Sequence, residues 1–192
     1  MTLARRWQGQ FWEAIRQRDT AGALREASLR AEMRAWTEAL TAAVVEACRA
    51  MGWAATAKGH RLELLPVARS EYLSLDVVAF PDGAGGWRLP VAVMELENSS
   101  QEKRIAYSLW KLLCVRADLR VLFCYRRNAE AGAPLVRWLR DRLVAGMTQR
   151  QRIGLDGQTL VVVGSRGEAE TFPYGFFKWW QLDASIGQFV LL

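Results

Sequence analysis

Histidine is almost absent from this chain: of 192 residues, only His60 carries an imidazole. A zinc site built on imidazoles would have one ligand to offer, and a His-dependent triad would rest on that residue alone. Cysteine is nearly as scarce. Cys48, Cys114 and Cys124 are odd in number, far apart, and lack metal-site or redox spacing. Each lies in an apolar context, so all three are expected to be small buried hydrophobes in a reducing compartment. These shortages argue against a cysteine or serine hydrolase. No apolar run approaches the roughly 20 residues needed to span a membrane. The first ten residues, MTLARRWQGQ, are not followed by an apolar signal-peptide segment. A cytoplasmic protein is the expectation. Internal repeats and low-complexity tracts are also missing.

What is present suits one globular domain. The chain is 51% hydrophobic and 24% charged, close to the average for a soluble domain, so a sizeable core is within reach. Basic residues, mostly arginine, number 26 against 20 acidic ones, for a formal charge of +6. A surplus of this size fits a polyanionic partner such as nucleic acid.

Trp7, Phe11, Trp12 and Ile15 recur at helical spacing and predict a helix over 3–18. Asp19-Thr20 should break it, with either residue capping a second helix over 21–32. Trp36, Leu40, Val44 and Ala47 mark a third over 34–51, ended by Gly52. From there strands are expected at 61–66, 71–80 and 87–97, as an antiparallel meander with a turn at 81–86. A helix over 101–115, a buried strand over 119–125, a helix over 134–147 opened by Pro134, and a strand over 159–163 follow. Residues 149–157 read as an exposed connection. The order gives an α/β fold with a mixed central sheet flanked by helices. Residues 1–52 form its helical N-terminal part, 53–165 its core, and 166–192 an aromatic C-terminal extension. The run Phe172-Pro-Tyr-Gly-Phe-Phe-Lys-Trp-Trp180 reads as core or subunit contact, with base stacking as the alternative. Phe189–Leu192 reads as an edge strand or a homodimer contact.

Three carboxylates sit inside runs that otherwise read as buried strands: Asp76 in SLDVVAF, and Glu95 and Glu97 in VAVMELENS. Buried charges need partners. Strand alternation sends Glu95 and Glu97 to one face with Val91 and Val93, and sends Met94 and Leu96 to the other. If the 71–80 strand pairs alongside, Asp76 comes beside Glu95. Converging acids repel unless a cation lies between them, and a hard divalent metal prefers oxygen ligands. Metal-assisted chemistry on phosphate esters is the implied class. The competing reading pairs these acids with arginines as a structural edge.

The order of these residues resembles the PD-(D/E)XK nuclease superfamily, the restriction-endonuclease-like fold, over roughly residues 36–126. There an acid on one strand precedes an acid-X-lysine tripeptide on the next, followed by helix, strand and helix. Asp76 matches the first acid and Glu95 the acid of the tripeptide. The Glu-Leu-Glu-Asn-Ser run is similar to the Glu-X-Glu-Asn variant. At position 97 the usual lysine is replaced by Glu97. In other members the lysine migrates to the following helix, where Lys103 and Lys111 are the candidates. Lys111 is favoured, because it interrupts an apolar stripe. Glu71, Glu38 and Glu46 are candidate accessory acids, each better read as solvated. Gln101 stands where RecB-type nucleases carry a glutamine, but Tyr107 is six residues on rather than four.

The resemblance implies a metal-dependent nuclease that hydrolyses phosphodiester bonds in DNA. Asp76 and Glu95 would hold Mg²⁺ or Mn²⁺, with Glu97 as a third ligand or a base for the attacking water, and a lysine would position the nucleophile. The alternative it leaves open is a catalytically inactive nuclease-like domain that binds nucleic acid or a protein partner.

Overall fold

A computed structural model describes residues 1–67, 72–83 and 86–192. Helix α1 (Leu3–Arg16) starts where the Thr2 hydroxyl accepts the Arg5 N–H, and it buries Ala4, Trp7, Phe11, Ala14 and Ile15. Helix α2 (Arg18–Leu29) begins one residue after Gln17, which provides no side-chain cap. Asp19-Thr20 is therefore not a break. Asp19 lies in the first turn, where a negative charge is favourable to the helix dipole. Helix α3 (Met33–Ala50) buries Trp36, Leu40, Val44 and Ala47, and the chain then turns through Gly52 at φ +75°.

The first strand is not at 61–66. It is β1 (Trp53–Ala57), directly after α3. The Arg61-Leu-Glu-Leu alternation is real, but Gly59 at φ +81° folds His60 back on Ala57 and ends pairing there. Beyond it, the backbone N–H groups of Leu64 and Leu65 donate to the Tyr72 hydroxyl rather than to a strand. Strands β2 (Val77–Pro81) and β3 (Ala92–Leu96) are shorter than expected. Ahead of β2, Tyr72–Ser74 forms a 3-10 turn in which Leu73 and Ser74 take left-handed dihedrals. The meander β1–β2–β3 is antiparallel, as expected, with a different first member.

Helix α4 (Glu102–Leu113) crosses over to β4 (Leu119–Arg126), which runs parallel to β3. Helix α5 (Gly132–Leu139) runs into a π turn at Arg140–Val144. Pro134 lies in its first turn rather than opening it, a place where no N–H is needed. The expected connection at 149–157 contains a short helix, α6 (Gln149–Ile153), opened by a Thr148–Gln151 capping box. Strand β5 (Gln158–Ser165) is parallel to β4, while β6 (Phe177–Asp183) and β7 (Gln188–Leu191) continue antiparallel. Among the described residues the sheet has seven strands, in chain order from β1 to β7. The architecture is α/β, a mixed sheet flanked by helices with an N-terminal helical segment.

One face of the sheet carries α1–α3. Its core joins Trp7, Phe11 and Trp36 to Phe123, Phe176, Phe177 and Trp179. The aromatic C-terminal run is therefore core: Trp36 lies 5.2 Å from Phe176, and Phe11 5.5 Å from Trp179, ring centre to ring centre. Each such burial stabilises by about 1.5–3 kcal/mol. Tyr174 remains exposed. The opposite face carries α4 and α5, with Ile105, Leu109, Leu112, Leu122 and Leu139 around Val93. β7 is an edge strand with Val190 and Leu191 exposed. Among the described residues no helix is long and apolar enough to cross a membrane.

Candidate acidic site at the junction of β2, β3 and α4

Strand alternation decides where Glu95 goes. Ala92, Met94 and Leu96 enter the α1–α3 core, whereas Val93 enters the α4 core, so Glu95 faces α4. Its side chain is 7% exposed. The β2–β3 register pairs Val77 with Met94 and Val78 with Val93. One residue further along that register, Asp76 stands opposite Glu95. Val78 and Phe80, which share the parity of Asp76, belong to the α4 core. The two acids therefore occupy one face. Asp76 is exposed, and its Oδ2 accepts the Leu96 N–H at 2.7 Å, taking the place of a strand carbonyl just ahead of the first residue of β2.

The third member comes from α4. Ile105, Leu109 and Leu112 anchor that helix, and Lys111 reaches from the margin of the buried stripe. Its Nζ lies 2.8 Å from Glu95 Oε1 and donates to the Ser74 carbonyl at 2.7 Å. The left-handed backbone at Ser74 is part of the turn that presents this carbonyl. Lys111 is thus the cation that neutralises Glu95 Oε1, which has no other donor among the described residues. Burial pushes the Glu95 carboxyl up to about 7, and the charge of Asp76 pushes the same way, while Lys111 opposes both.

Glu97 does not join this group. β3 ends at Leu96, and the Glu97 carboxylate is held between the following loop and α4. Oε1 accepts the Ser99 N–H at 2.7 Å, and Oε2 accepts the Ser108 hydroxyl at 3.1 Å. Among the described residues no three His, Cys, Asp or Glu side chains come together as a metal-holding group. The expected convergence of three acids is thus corrected to two acids and a lysine. Lys103 is exposed and bonds to no described residue. Glu38 pairs with Arg34 at 2.9 Å and Glu46 with Arg49 at 3.6 Å, both exposed on α3, so neither serves the site. Glu71 lies outside the described residues.

Gln101 precedes α4 without a side-chain cap, and its N–H donates to Ser99 Oγ instead. Tyr107 is 61% exposed and stacks on Trp110. Cys48 and Cys124 are buried as expected, and burial pushes both thiols up to about 12. Cys114 is exposed, a correction: it sits one residue past α4, where the apolar stripe no longer covers it.

Two participants escaped the sequence reading. Ser108 is a small polar residue within the apolar stripe of α4, three residues before Lys111, and that position was its signal. The Ser74 carbonyl had none, because backbone direction in an irregular turn leaves no trace in side-chain pattern. No family model, curated protein or solved structure matches this chain.

Proposed function

We propose that the protein is a Mg²⁺- or Mn²⁺-dependent nuclease that hydrolyses phosphodiester bonds, in DNA, with Asp76, Glu95 and Lys111 as its working residues. The observation that carries the reading is the meeting of Lys111 with Glu95 beside Asp76, on a β-β-β-α-β frame of the kind the PD-(D/E)XK resemblance implies. Mg²⁺ is commonly bound by one or two carboxylates together with water and substrate phosphates. A two-acid site therefore suffices for it. The donor set fits: Asp76 is exposed with one oxygen engaged by Leu96, and Glu95 Oε1 is an oxygen that a cation, Lys111 at 2.8 Å, already neutralises.

A divalent ion bound there would supply Lewis acidity toward the phosphate and a lowered pKa for its water. Asp76 and Glu95 would hold it. The Lys111 ammonium, anchored by the Ser74 carbonyl, would orient the nucleophile or stabilise charge developing on the phosphate. Glu97 is assigned a positioning role, tying the loop after β3 to α4 through Ser99 and Ser108. A cytoplasmic location belongs to the same proposal, supported by three unpaired thiols, one of them exposed. A homodimer, if formed, would use the exposed edge of β7.

Cleavage of end-labelled DNA with Mg²⁺ or Mn²⁺, and with EDTA as control, tests the reading. Asp76→Asn and Glu95→Gln should abolish cutting while circular dichroism stays native. Lys111→Met should lower the rate by roughly 10²-fold. Full activity in Lys111→Met would remove that residue's role, and absence of metal-dependent cutting by the wild type would remove the proposal.

A second reading has its own support. Lys111 already neutralises Glu95, and both Glu97 oxygens are satisfied internally, so the cluster can be a closed structural latch in a nuclease-like domain that binds nucleic acid or protein without cutting. Mn²⁺ separates the two. A cation bound to the native state raises the melting temperature by mass action, whereas the latch gives no response.

A further inference from the structure

The parallel strands β3, β4 and β5 end at one rim. Their last residues build a cleft of about 610 Å³, lined by Asn98, Ser100, Tyr125 and three arginines, Arg126, Arg127 and Arg166. Ligands of open α/β sheets bind outside the carboxyl ends of strands, as this cleft is placed to do. Among the described residues lining it, Glu102 supplies the one carboxylate, 3.6 Å from Arg126. Two of the three positive charges therefore have no acidic partner among the described residues.

Arg166 is the most informative. Its guanidinium lies 4.3 Å from the centre of the Tyr125 ring and 5.8 Å from that of Trp36. One terminal nitrogen reaches Asn98 Oδ1 at 3.4 Å, and the other is buried with no acceptor among the described residues. Burial pushes its pKa down. A desolvated cation without a counterion costs free energy, and an incoming anion offsets that cost. Arg126 is aimed by the carbonyls of Ser100 and Tyr125, at 3.2 and 3.1 Å. Arg127 is exposed, and its side chain bonds to no described residue.

The two loops that carry these residues are locked together. Gly167 donates its N–H to the Arg127 carbonyl at 2.7 Å, and a Cβ at Gly167 would sit 2.7 Å from that same oxygen. Only glycine permits the approach, which sets Arg166 beside Arg127 before any ligand arrives. Such preorganisation lowers the entropic cost of binding.

We propose that this rim cleft seats a phosphate group, gripped by Arg126, Arg127 and Arg166. The planar guanidinium fork matches phosphate oxygens and forms charge-assisted hydrogen bonds with them. The phosphate is either a phosphodiester of a nucleic-acid backbone or a free phosphate. The seat rests on the arginines and not on the nuclease reading. If both hold, the cleft grips substrate backbone three residues along the chain from Glu95, at Asn98.

Titration calorimetry in EDTA at low salt tests it, with inorganic phosphate and, separately, a short single-stranded oligodeoxynucleotide. Arg127→Ala should weaken binding by at least about tenfold, the equivalent of one charge-assisted hydrogen bond, with an unchanged melting temperature. Glu102→Gln should strengthen it by about two- to fivefold, as loss of an exposed ion pair frees Arg126. Binding of the oligonucleotide alone with this pattern assigns the seat to the backbone, and binding of phosphate alone assigns it to a free phosphate. Binding of neither, or binding that both variants leave unchanged, overturns the proposal. Because no divalent metal is present, a protein that fails to cut DNA can still pass this test, and one that cuts can fail it.

Discussion

Glu95 concentrates the chemistry of the acidic site in one titration. Its carboxyl has a pKa of about 7 in the folded protein against an ordinary value of 4.5, chiefly through burial. For an acid with a raised folded pKa, the folded state binds more protons than the unfolded state between those two values. The stabilisation is complete below about pH 4.5, declines as pH rises to about 7, and is flat above. A rise of that size corresponds to roughly 3 kcal/mol. Urea midpoints of the metal-free protein measured from pH 4.5 to 8 should show the decline, and Glu95→Gln should flatten it relative to the wild type. Parallel curves for the two proteins would mean that Glu95 titrates normally. The position of this residue was legible in the sequence, because a glutamate among valines and alanines is a charge that must be accounted for. So was the lysine that meets it, as an interruption of an apolar stripe. Glu97 was not legible in the same way. Alternation does give its face, since its N–H still donates to the Phe123 carbonyl and its Oε2 meets Ser108 on α4, but it does not show that Ser99 and Ser108 would satisfy both oxygens.

At the scale of elements, Arg120 shows what pattern alone conceals. It lies within β4 at 2% exposure, in a stretch read simply as a buried apolar strand. Its Nε donates to the carbonyls of Leu112 and Val115, at 3.1 and 2.9 Å, which belong to the frayed end of α4 and the turn after it. Its terminal nitrogens donate to Asp156 and Leu155, both at 2.7 Å, in the loop before β5. Helix C-termini leave carbonyls without partners, and here a side chain from the next strand satisfies them. Replacing Arg120 with Met keeps much of the volume but orphans these buried acceptors. The expected cost is about 3–5 kcal/mol in urea denaturation. A loss under 1 kcal/mol would show that water replaces the guanidinium. The same contrast explains which elements could be read in advance. Helices α1 and α3 have long 3.6-residue periods anchored by large side chains, and their positions were plain. β1 is Trp-Ala-Ala-Thr-Ala, short and poor in β-branched residues, and it is a strand because α3 and β2 cover its two sides. Tertiary packing overrode propensity there, while the better alternation at 61–66 was cut off by the turn at Gly59.

For the molecule as a whole, the question is whether the +6 charge acts as a diffuse field or through the rim cleft. The two differ in how affinity responds to salt. Each phosphate neutralised by a cationic side chain releases counterions, and the slope of log K against log salt is about −0.7 per contact for single strands and −0.9 for duplex. If Arg126, Arg127 and Arg166 each engage one phosphate, the slope should be about −2 to −3. Arg127→Ala should then reduce its magnitude by about one contact, roughly 0.7 to 0.9. Arg6, exposed on α1, provides the comparison, since it has the same charge and lies outside the cleft. Under a diffuse field Arg6→Ala and Arg127→Ala should shift the slope equally, because only net charge would count. Under local gripping Arg6→Ala should leave it unchanged. Fluorescence anisotropy with a labelled oligonucleotide in EDTA, from about 20 to 200 mM salt, spans the range over which the Debye length contracts from tens of ångströms to under ten. Equal effects of the two substitutions would assign the basic surplus to long-range attraction alone, and would leave the arginine rim without a role in recognising the strand.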